Sequence, residues 1–144
     1  MPSALKYVLT DAGFWIGLCD RNDQNHENAV RILKAIERYH VLLPWPILYE
    51  IFRTRFIKNK SLVQKFEETA KSVAARYEDD NPYRTAAQIE ALRLAATGKR
   101  HISLVDMVIR HMLSDENFRI DYLVTFNQRD FVDVCRKRKI EIVE

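Results

Sequence analysis

Three short apolar runs, each closed by a turn or an acidic residue, most constrain what this chain can fold into. They lie at residues 7–9, 41–43 and 122–125. Such runs are typical of buried strands, because a strand that is covered on both faces is apolar throughout. Stretches with helical periodicity separate them. This alternation predicts an α/β protein with a mostly parallel sheet and helices on both of its faces.

The helical stretches are expected to follow the strands in a regular order. A fourth, last strand is expected at residues 140–143. Asp23 or Asn25 can cap the helix that follows the first polar loop. Gly98 is expected to end a later helix. The capped helix carries Ala29, Leu33 and Ile36 on one stripe, and the other predicted helices lie at residues 14–18, 46–56, 61–77 and 84–97, after Ser103, and at 130–137.

Length and composition limit the class of protein. The chain has 144 residues, the usual size of one domain, so residues 1–144 are expected to form one. Its net charge of +3 is too small to indicate a nucleic-acid partner, since an acidic site would mask basic surface elsewhere. No run reaches 18 apolar residues and no signal-peptide pattern is visible, so we expect a cytoplasmic protein without a membrane span. Cys19 and Cys135 match no metal-binding spacing and are expected to be buried thiols.

Several oxygen-bearing side chains follow the predicted strands. Asp11 comes directly after the first strand, and Glu50 lies one turn into the helix after the second. Asp106 lies in the first turn of a helix, and Asn127 and Asp130 follow the third strand. Ligands of parallel sheets bind beyond the carboxyl ends of the strands. Taken singly, each residue also has a structural explanation as a cap, a turn residue, a helix-dipole partner or a solvated side chain.

Taken together, these side chains predict a site for a divalent metal ion. Ligand sets made only of oxygen select hard cations such as Mg²⁺ or Mn²⁺. Crowded carboxylates repel one another, and a cation relieves that repulsion. The same cation can activate water and stabilise charge on a scissile phosphate. No glycine-rich nucleotide-binding motif is present, and no convincing acid and lysine set supports a phosphoacceptor receiver domain.

At these residues the chain resembles the PIN-domain family of metal-dependent ribonucleases. The matching pieces are short, but they occur in the family's order along nearly the whole chain. The resemblance implies a three-layer α/β/α sandwich around a sheet of four or five strands. The pieces are residues 8–13, 16–18 and 20–26, Glu50, residues 103–106, 123–127 and 130–131.

The resemblance also implies an activity. The chain would be an endoribonuclease that uses Mg²⁺ or Mn²⁺ to hydrolyse RNA. It would act as the toxin of a toxin–antitoxin pair, as a homodimer with an antitoxin partner. The catalytic acids would be Asp11, Glu50 and Asp106. The fourth acid would lie near Asn127 or Asp130. Many members have Asp where this chain has Asn127, so either Asp130 takes the role of the fourth ligand or Asn127 orients a water molecule, and Asn127 is also a candidate for contacting RNA. The alternative is a PIN-like module without nuclease activity that binds RNA or protein.

An RNA substrate requires basic and aromatic groups around an acidic cleft. Such charges also occur on solvated helix faces, and such aromatic residues in cores. The basic candidates are Arg53, Arg55, Lys58, Lys60 and residues 136–139. The candidates for stacking on unpaired bases are Trp15, Trp45 and Tyr83.

Overall fold

A five-stranded parallel sheet forms the centre of the protein in a computed structural model that describes residues 5–144. The order of the strands is β3-β2-β1-β4-β5, and all neighbours pair in parallel. The chain adds β2 and β3 on one side of β1 and then returns to place β4 on the other side. Ligands of such sheets bind where the order reverses, here between β1 and β4. The strands are β1 Tyr7–Thr10, β2 His40–Pro44, β3 Arg76–Glu78, β4 Tyr122–Val124 and β5 Glu141–Val143.

Helices form a layer on each side of the sheet. The first group packs around α1, which contacts α2, α3 and α5, and the second packs around α7, which contacts α6 and α8. Connections between parallel strands are almost always right-handed. The connections from β1 to β2 and from β2 to β3 therefore place their helices on one face, and those from β3 to β4 and from β4 to β5 run in the other direction and place theirs on the opposite face. The predicted three-layer arrangement is confirmed. The α-helices of the described chain are α1 Ala12–Cys19, α2 His26–Ile36, α3 Ile47–Ile51, α4 Thr54–Ile57, α5 Lys60–Ser72, α6 Arg84–Thr97, α7 Leu104–Ser114 and α8 Val132–Arg138.

The core lies between the central strands and these helices. Val8, Leu9 and Leu42 are fully buried, as the apolar runs predicted. Trp15 is fully buried with them, and its indole N–H donates a hydrogen bond of 2.8 Å to Thr10 Oγ1. The interpretation of Trp15 as a base-stacking residue is therefore wrong, because both its ring and its polar atom are used inside the core.

Two predicted helices differ from the structure. The stretch at 61–77 ends as a helix at Ser72, and its last residues belong to the edge strand β3. That strand was missed because its residues are mostly exposed and show no apolar run. The stretch at 46–56 is broken into α3 and α4, since Arg53 adopts an extended backbone with φ −66° and ψ 163°. The break lets Phe56 turn into the core, where it is 6% exposed.

Cys19 and Cys135 are free and buried, as expected. Burial raises the pKa of Cys19 to about 12 and that of Cys135 to about 11, so neither thiol is a ready nucleophile. Among the helices of residues 5–144, none combines the length and the apolar character that crossing a bilayer requires.

Candidate active site

Asp11 lies at the carboxyl end of β1, at the point where the strand order reverses. Its Oδ1 accepts a hydrogen bond of 2.8 Å from the backbone N–H of Ala12 and so caps α1. Its Oδ2 accepts one of 2.8 Å from the hydroxyl of Thr125, just beyond β4. Burial raises the pKa of Asp11, and these two hydrogen bonds oppose the rise. The residue thus acts as a helix cap and also faces the ligand-binding edge of the sheet.

Glu50 and Asp106 reach the same region from two helices. Burial raises the pKa of Glu50, the charge of Asp11 raises it further, and Arg53 lowers it. Asp106 lies in the first turn of α7, where its backbone N–H donates a hydrogen bond of 3.1 Å to Ser103 Oγ. Burial, followed by repulsion from Asp11 and Glu50, raises the pKa of Asp106 to about 7.

Asp130 is a fourth carboxylate of this cluster, because it lies within electrostatic range of Asp11 and Asp106. Its charge contributes to the raised pKa of both Asp11 and Asp106. The four acids come from four separate segments of the chain, so only the tertiary fold brings them together. Such mutual repulsion is the usual sign of a site that is shaped for a positively charged ligand.

The four side chains do not form a preassembled metal-coordination site. Within residues 5–144, no three acids, histidines or cysteines are grouped closely enough to hold an ion. Charge–charge repulsion acts over longer distances than the 2.0–2.6 Å of a metal–oxygen bond, so the two observations are compatible. An ion could be held by three of these acids only if their side chains rotated towards it.

Asn127 and Thr125 orient two of the acids. The amide N–H of Asn127 donates a hydrogen bond of 2.8 Å to Asp130 Oδ2, and its backbone N–H donates one of 3.0 Å to Thr125 Oγ1. Since the same hydroxyl donates to Asp11, a continuous series of hydrogen bonds links the ends of β1 and β4. Sequence reasoning missed Thr125, because the residue is 114 positions away from Asp11.

The predicted basic rim is only partly at this edge. Arg53, Arg55 and Lys58 are exposed, and the two arginines line a cavity of about 200 Å³ together with Glu50. Lys60 begins α5 and is also exposed.

Residues 136–139 lie at the opposite edge of the sheet, because they end α8 and directly precede β5. Within this segment Arg138 donates hydrogen bonds of 2.6 Å to the carbonyl oxygens of Leu113 and Asp115. The interpretation of this segment as part of the basic rim is therefore wrong, since strand direction places it away from the acids.

The two remaining aromatic candidates differ in accessibility. Tyr83 is partly buried against the second helical layer, and its hydroxyl donates a hydrogen bond of 2.7 Å to Asp115. Trp45 follows β2 directly and is 43% exposed. Its ring lies beside that of Tyr49, with 5.6 Å between the centroids, and Tyr49 is 69% exposed. Trp45 is thus the better placed of the two to contact a ligand at this edge.

A cavity of about 640 Å³ adjoins Asn127 and Asp130 and was not anticipated from the sequence. Its wall contains Lys99, Arg100 and Arg129. A cavity of similar size, about 660 Å³, lies between the end of α1, α2 and α5, and contains none of the predicted site residues.

The parallel sheet, its two helical layers and the acids at its reversal point define an α/β/α fold of the PIN type. Three solved structures that are similar in fold to this chain are a VapC toxin and two VapBC complexes. VapBC2 from Rickettsia felis, bound to a DNA fragment from its promoter, has a TM-score of 0.61 at 16% identity, covering 95% of this chain and 97% of the other. VapC20 from Mycobacterium tuberculosis, a sarcin–ricin loop cleaving toxin, has a TM-score of 0.56 at 19% identity, covering 81% and 86%.

The DNA-bound VapBC of Salmonella typhimurium has a TM-score of 0.55 at 15% identity, covering 97% of this chain and 98% of the other. No family model matches the sequence, and no curated protein matches it significantly. At these identities the likeness establishes the fold, and the predicted PIN-like architecture is confirmed.

Proposed function

We propose that this protein is a metal-dependent endoribonuclease that hydrolyses phosphodiester bonds in RNA. The observation that carries the proposal is the electrostatic coupling of Asp11, Glu50, Asp106 and Asp130 at the reversal point of a PIN-type sheet. VapC20, which shares the fold, cleaves the sarcin–ricin loop, and this supports RNA as the substrate.

The chemistry of the four side chains fits Mg²⁺ or Mn²⁺. All are carboxylates, which hard cations prefer, and the raised pKa of Asp106 reflects a repulsion that a cation would relieve. Asp11 and Asp106 would be direct ligands, and Glu50 and Asp130 would bind directly or through water. When bound, the ion would lower the pKa of a water molecule and stabilise negative charge on the phosphate.

The neighbouring residues would prepare the acids and hold the substrate. Thr125 would keep Asp11 in one orientation, and Asn127 would do the same for Asp130. Arg53, Arg55 and Lys58 would bind phosphates of the RNA strand. Trp45 would stack on an unpaired base, an interaction that suits any of the four bases.

We also propose that residues 1–144 act as one domain of a cytoplasmic toxin, a homodimer that is paired with an antitoxin protein. Two proteins of the same fold were solved as VapBC assemblies with DNA, which supports a partner of this kind. Ile89 and Leu92, on successive turns of α6, are 63% and 64% exposed and offer apolar surface for such contacts.

The test compares Asp11→Asn and Glu50→Gln with the wild type on single-stranded RNA in Mn²⁺. Each variant should lose about 100-fold or more of the cleavage rate, because a ligand would be removed rather than its supporting hydrogen bond. The matched control is Glu37→Gln, an exposed acid near the amino end of β2, at the opposite edge of the sheet. Cleavage by Asp11→Asn at the wild-type rate would end the assignment.

A second candidate is a PIN-like module that binds RNA or protein without cutting it. Two observations favour it: the site has Asn127 in place of an acid, and no three ligands are pre-assembled in the described chain. Thermal unfolding with Mn²⁺ separates the candidates. If the protein is a metal-dependent nuclease, its free energy of unfolding should rise by about 2.7 kcal/mol at a Mn²⁺ concentration 100 times the Kd. If it is a binding module, Mn²⁺ should not change its stability.

A further inference from the structure

We propose that Lys99 and Arg129 form a second phosphate-binding site, in the cavity beside Asp130, for the phosphodiester next to the one that is cleaved. The proposal rests on the proposed function and adds to it the residues that hold the strand. Neither residue stands out in the sequence, because one follows a helix and the other lies within a turn 30 positions later.

The cavity is built from two loops at the ligand-binding edge of the sheet. One wall is the connection from α6 to α7, which contributes Lys99, Arg100 and His101. This connection is fixed at both ends, since Gly98 ends α6 with φ +67° and Ser103 caps α7. The facing wall is the segment after β4, which also contains Asp130.

Ion pairs with Asp133 neutralise part of the positive charge around the cavity. Arg110 binds Asp133 through two hydrogen bonds of 2.7 and 3.0 Å, and Arg100 approaches the same carboxylate at 3.4 Å. These arginines hold the pKa of Asp133 well below its usual range. Arg100 also donates a hydrogen bond of 3.0 Å to the backbone oxygen of Arg129 and so ties the two walls together.

Lys99 and Arg129 are the positively charged residues of the cavity wall whose charge is not neutralised by an acid in the described part of the chain. Both side chains are exposed, and neither forms an ion pair within the described residues 5–144. Asp130, the other acid on the wall besides Asp133, accepts a hydrogen bond from Asn127. The cavity therefore presents two unsatisfied cations beside a carboxylate of the candidate active site.

A strand of RNA is the ligand whose charges match this arrangement of acids and cations. Its phosphates are evenly spaced, so a strand with one phosphate at the acids brings a neighbouring phosphate to an adjoining site. Four carboxylates repel that strand, and two cations next to them offset the repulsion. The guanidinium fork of arginine and the ammonium of lysine are both common phosphate-binding groups.

The experiment measures binding of a labelled single-stranded RNA to the metal-free protein by fluorescence anisotropy at several salt concentrations. The variant is Lys99→Ala with Arg129→Ala. Its control, Lys34→Ala with Arg38→Ala, makes the same change in charge at exposed residues near the start of β2, at the opposite edge of the sheet.

The first variant should bind RNA about 10-fold more weakly or worse. The slope of log affinity against log salt should fall by about 0.7, because the site holds one phosphate and each phosphate contact on a single strand contributes about 0.7. The control pair should change affinity by less than about twofold. In Mn²⁺, the first variant should raise KM for cleavage and leave kcat near that of the wild type.

Equal losses in both double variants would overturn the proposal, since they would reflect total charge rather than a site. A fall in kcat at unchanged affinity would also overturn it. If the wild type neither binds nor cuts RNA, the proposed function fails as well. If the wild type cuts RNA and the first variant behaves like the control, only the second phosphate site fails. Lys99→Gln with Arg129→Gln, which keeps the length of the stems, repeats the measurement if the alanine variant unfolds.

Discussion

Replacing Asp106 with Asn should stabilise the metal-free protein above neutral pH. The rise in the pKa of Asp106 from 3.8 to about 7 means that its ionised form is disfavoured in the folded state. At 1.36 kcal/mol for each pKa unit, the full rise corresponds to about 4 kcal/mol. Asn carries no charge at any pH and so removes this cost.

The expected gain is smaller than that figure. Asp106 is partly exposed, so water screens its repulsion from Asp11 and Glu50 and reduces the effect to about half. The variant also loses a favourable interaction with the amino end of α7, worth about 0.3–1 kcal/mol. We therefore expect a net gain of about 1–2 kcal/mol at pH 8, or about 3–6 °C in Tm.

The sign of the pH dependence follows from the direction of the pKa shift. Stability from the neutral carboxyl is fully present below about pH 4 and is lost as the pH rises through about 7. The difference between variant and wild type should thus vanish near pH 4 and grow towards pH 8. Thermal unfolding in EDTA across this range measures it.

Asp133→Asn is the matched control, and its expected change in stability has the opposite sign. Arg110 lowers the pKa of Asp133, so its charge stabilises the fold above its unfolded pKa, and the Asn variant should be less stable at pH 8. A destabilised Asp106→Asn protein at pH 8, or a difference that does not change with pH, would refute the account of the acidic cluster.

Two further predictions concern single residues at the same edge. Ser103→Ala should lower the free energy of unfolding by about 1 kcal/mol, because Ser103 Oγ caps α7. Ser103→Thr should keep most of the stability of the wild type, because the Thr hydroxyl can also cap the helix. Urea unfolding tests this, and an unchanged midpoint for the alanine variant would contradict the role. Single-stranded RNA should quench the fluorescence of exposed Trp45 but not that of buried Trp15, so Trp45→Phe should abolish the quenching. Quenching that persists in Trp45→Phe would exclude Trp45 as the contact.

Local patterns in the sequence identified most of the architecture. The runs around Val8, Leu42 and Leu123 are apolar because both faces of a central strand are covered, and this signal needs no knowledge of partners. The cap at Ser103 and the stop at Gly98 are equally local. The edge strand β3 escaped detection because its pairing with β2, rather than its composition, makes it a strand.

The sequence also placed acids after strands and at a helix start, since parallel strands end at the same edge of a sheet. It could not tell a helix cap from a ligand at Asp11, because one carboxylate has an oxygen for each partner. Whether Glu50 faces solvent or the cluster was likewise undecided, as helical periodicity does not specify what lies opposite a polar face.

Tertiary structure alone decided which distant groups meet. The strand order puts β4 beside β1, and this joins Thr125 to Asp11 across 114 positions. It likewise brings Arg129 to face Lys99 across one cavity. The sequence determined where strands, helices and caps form, because those depend on neighbours along the chain. The site depends on long-range burial and charge, which exist only once the strands have taken their order.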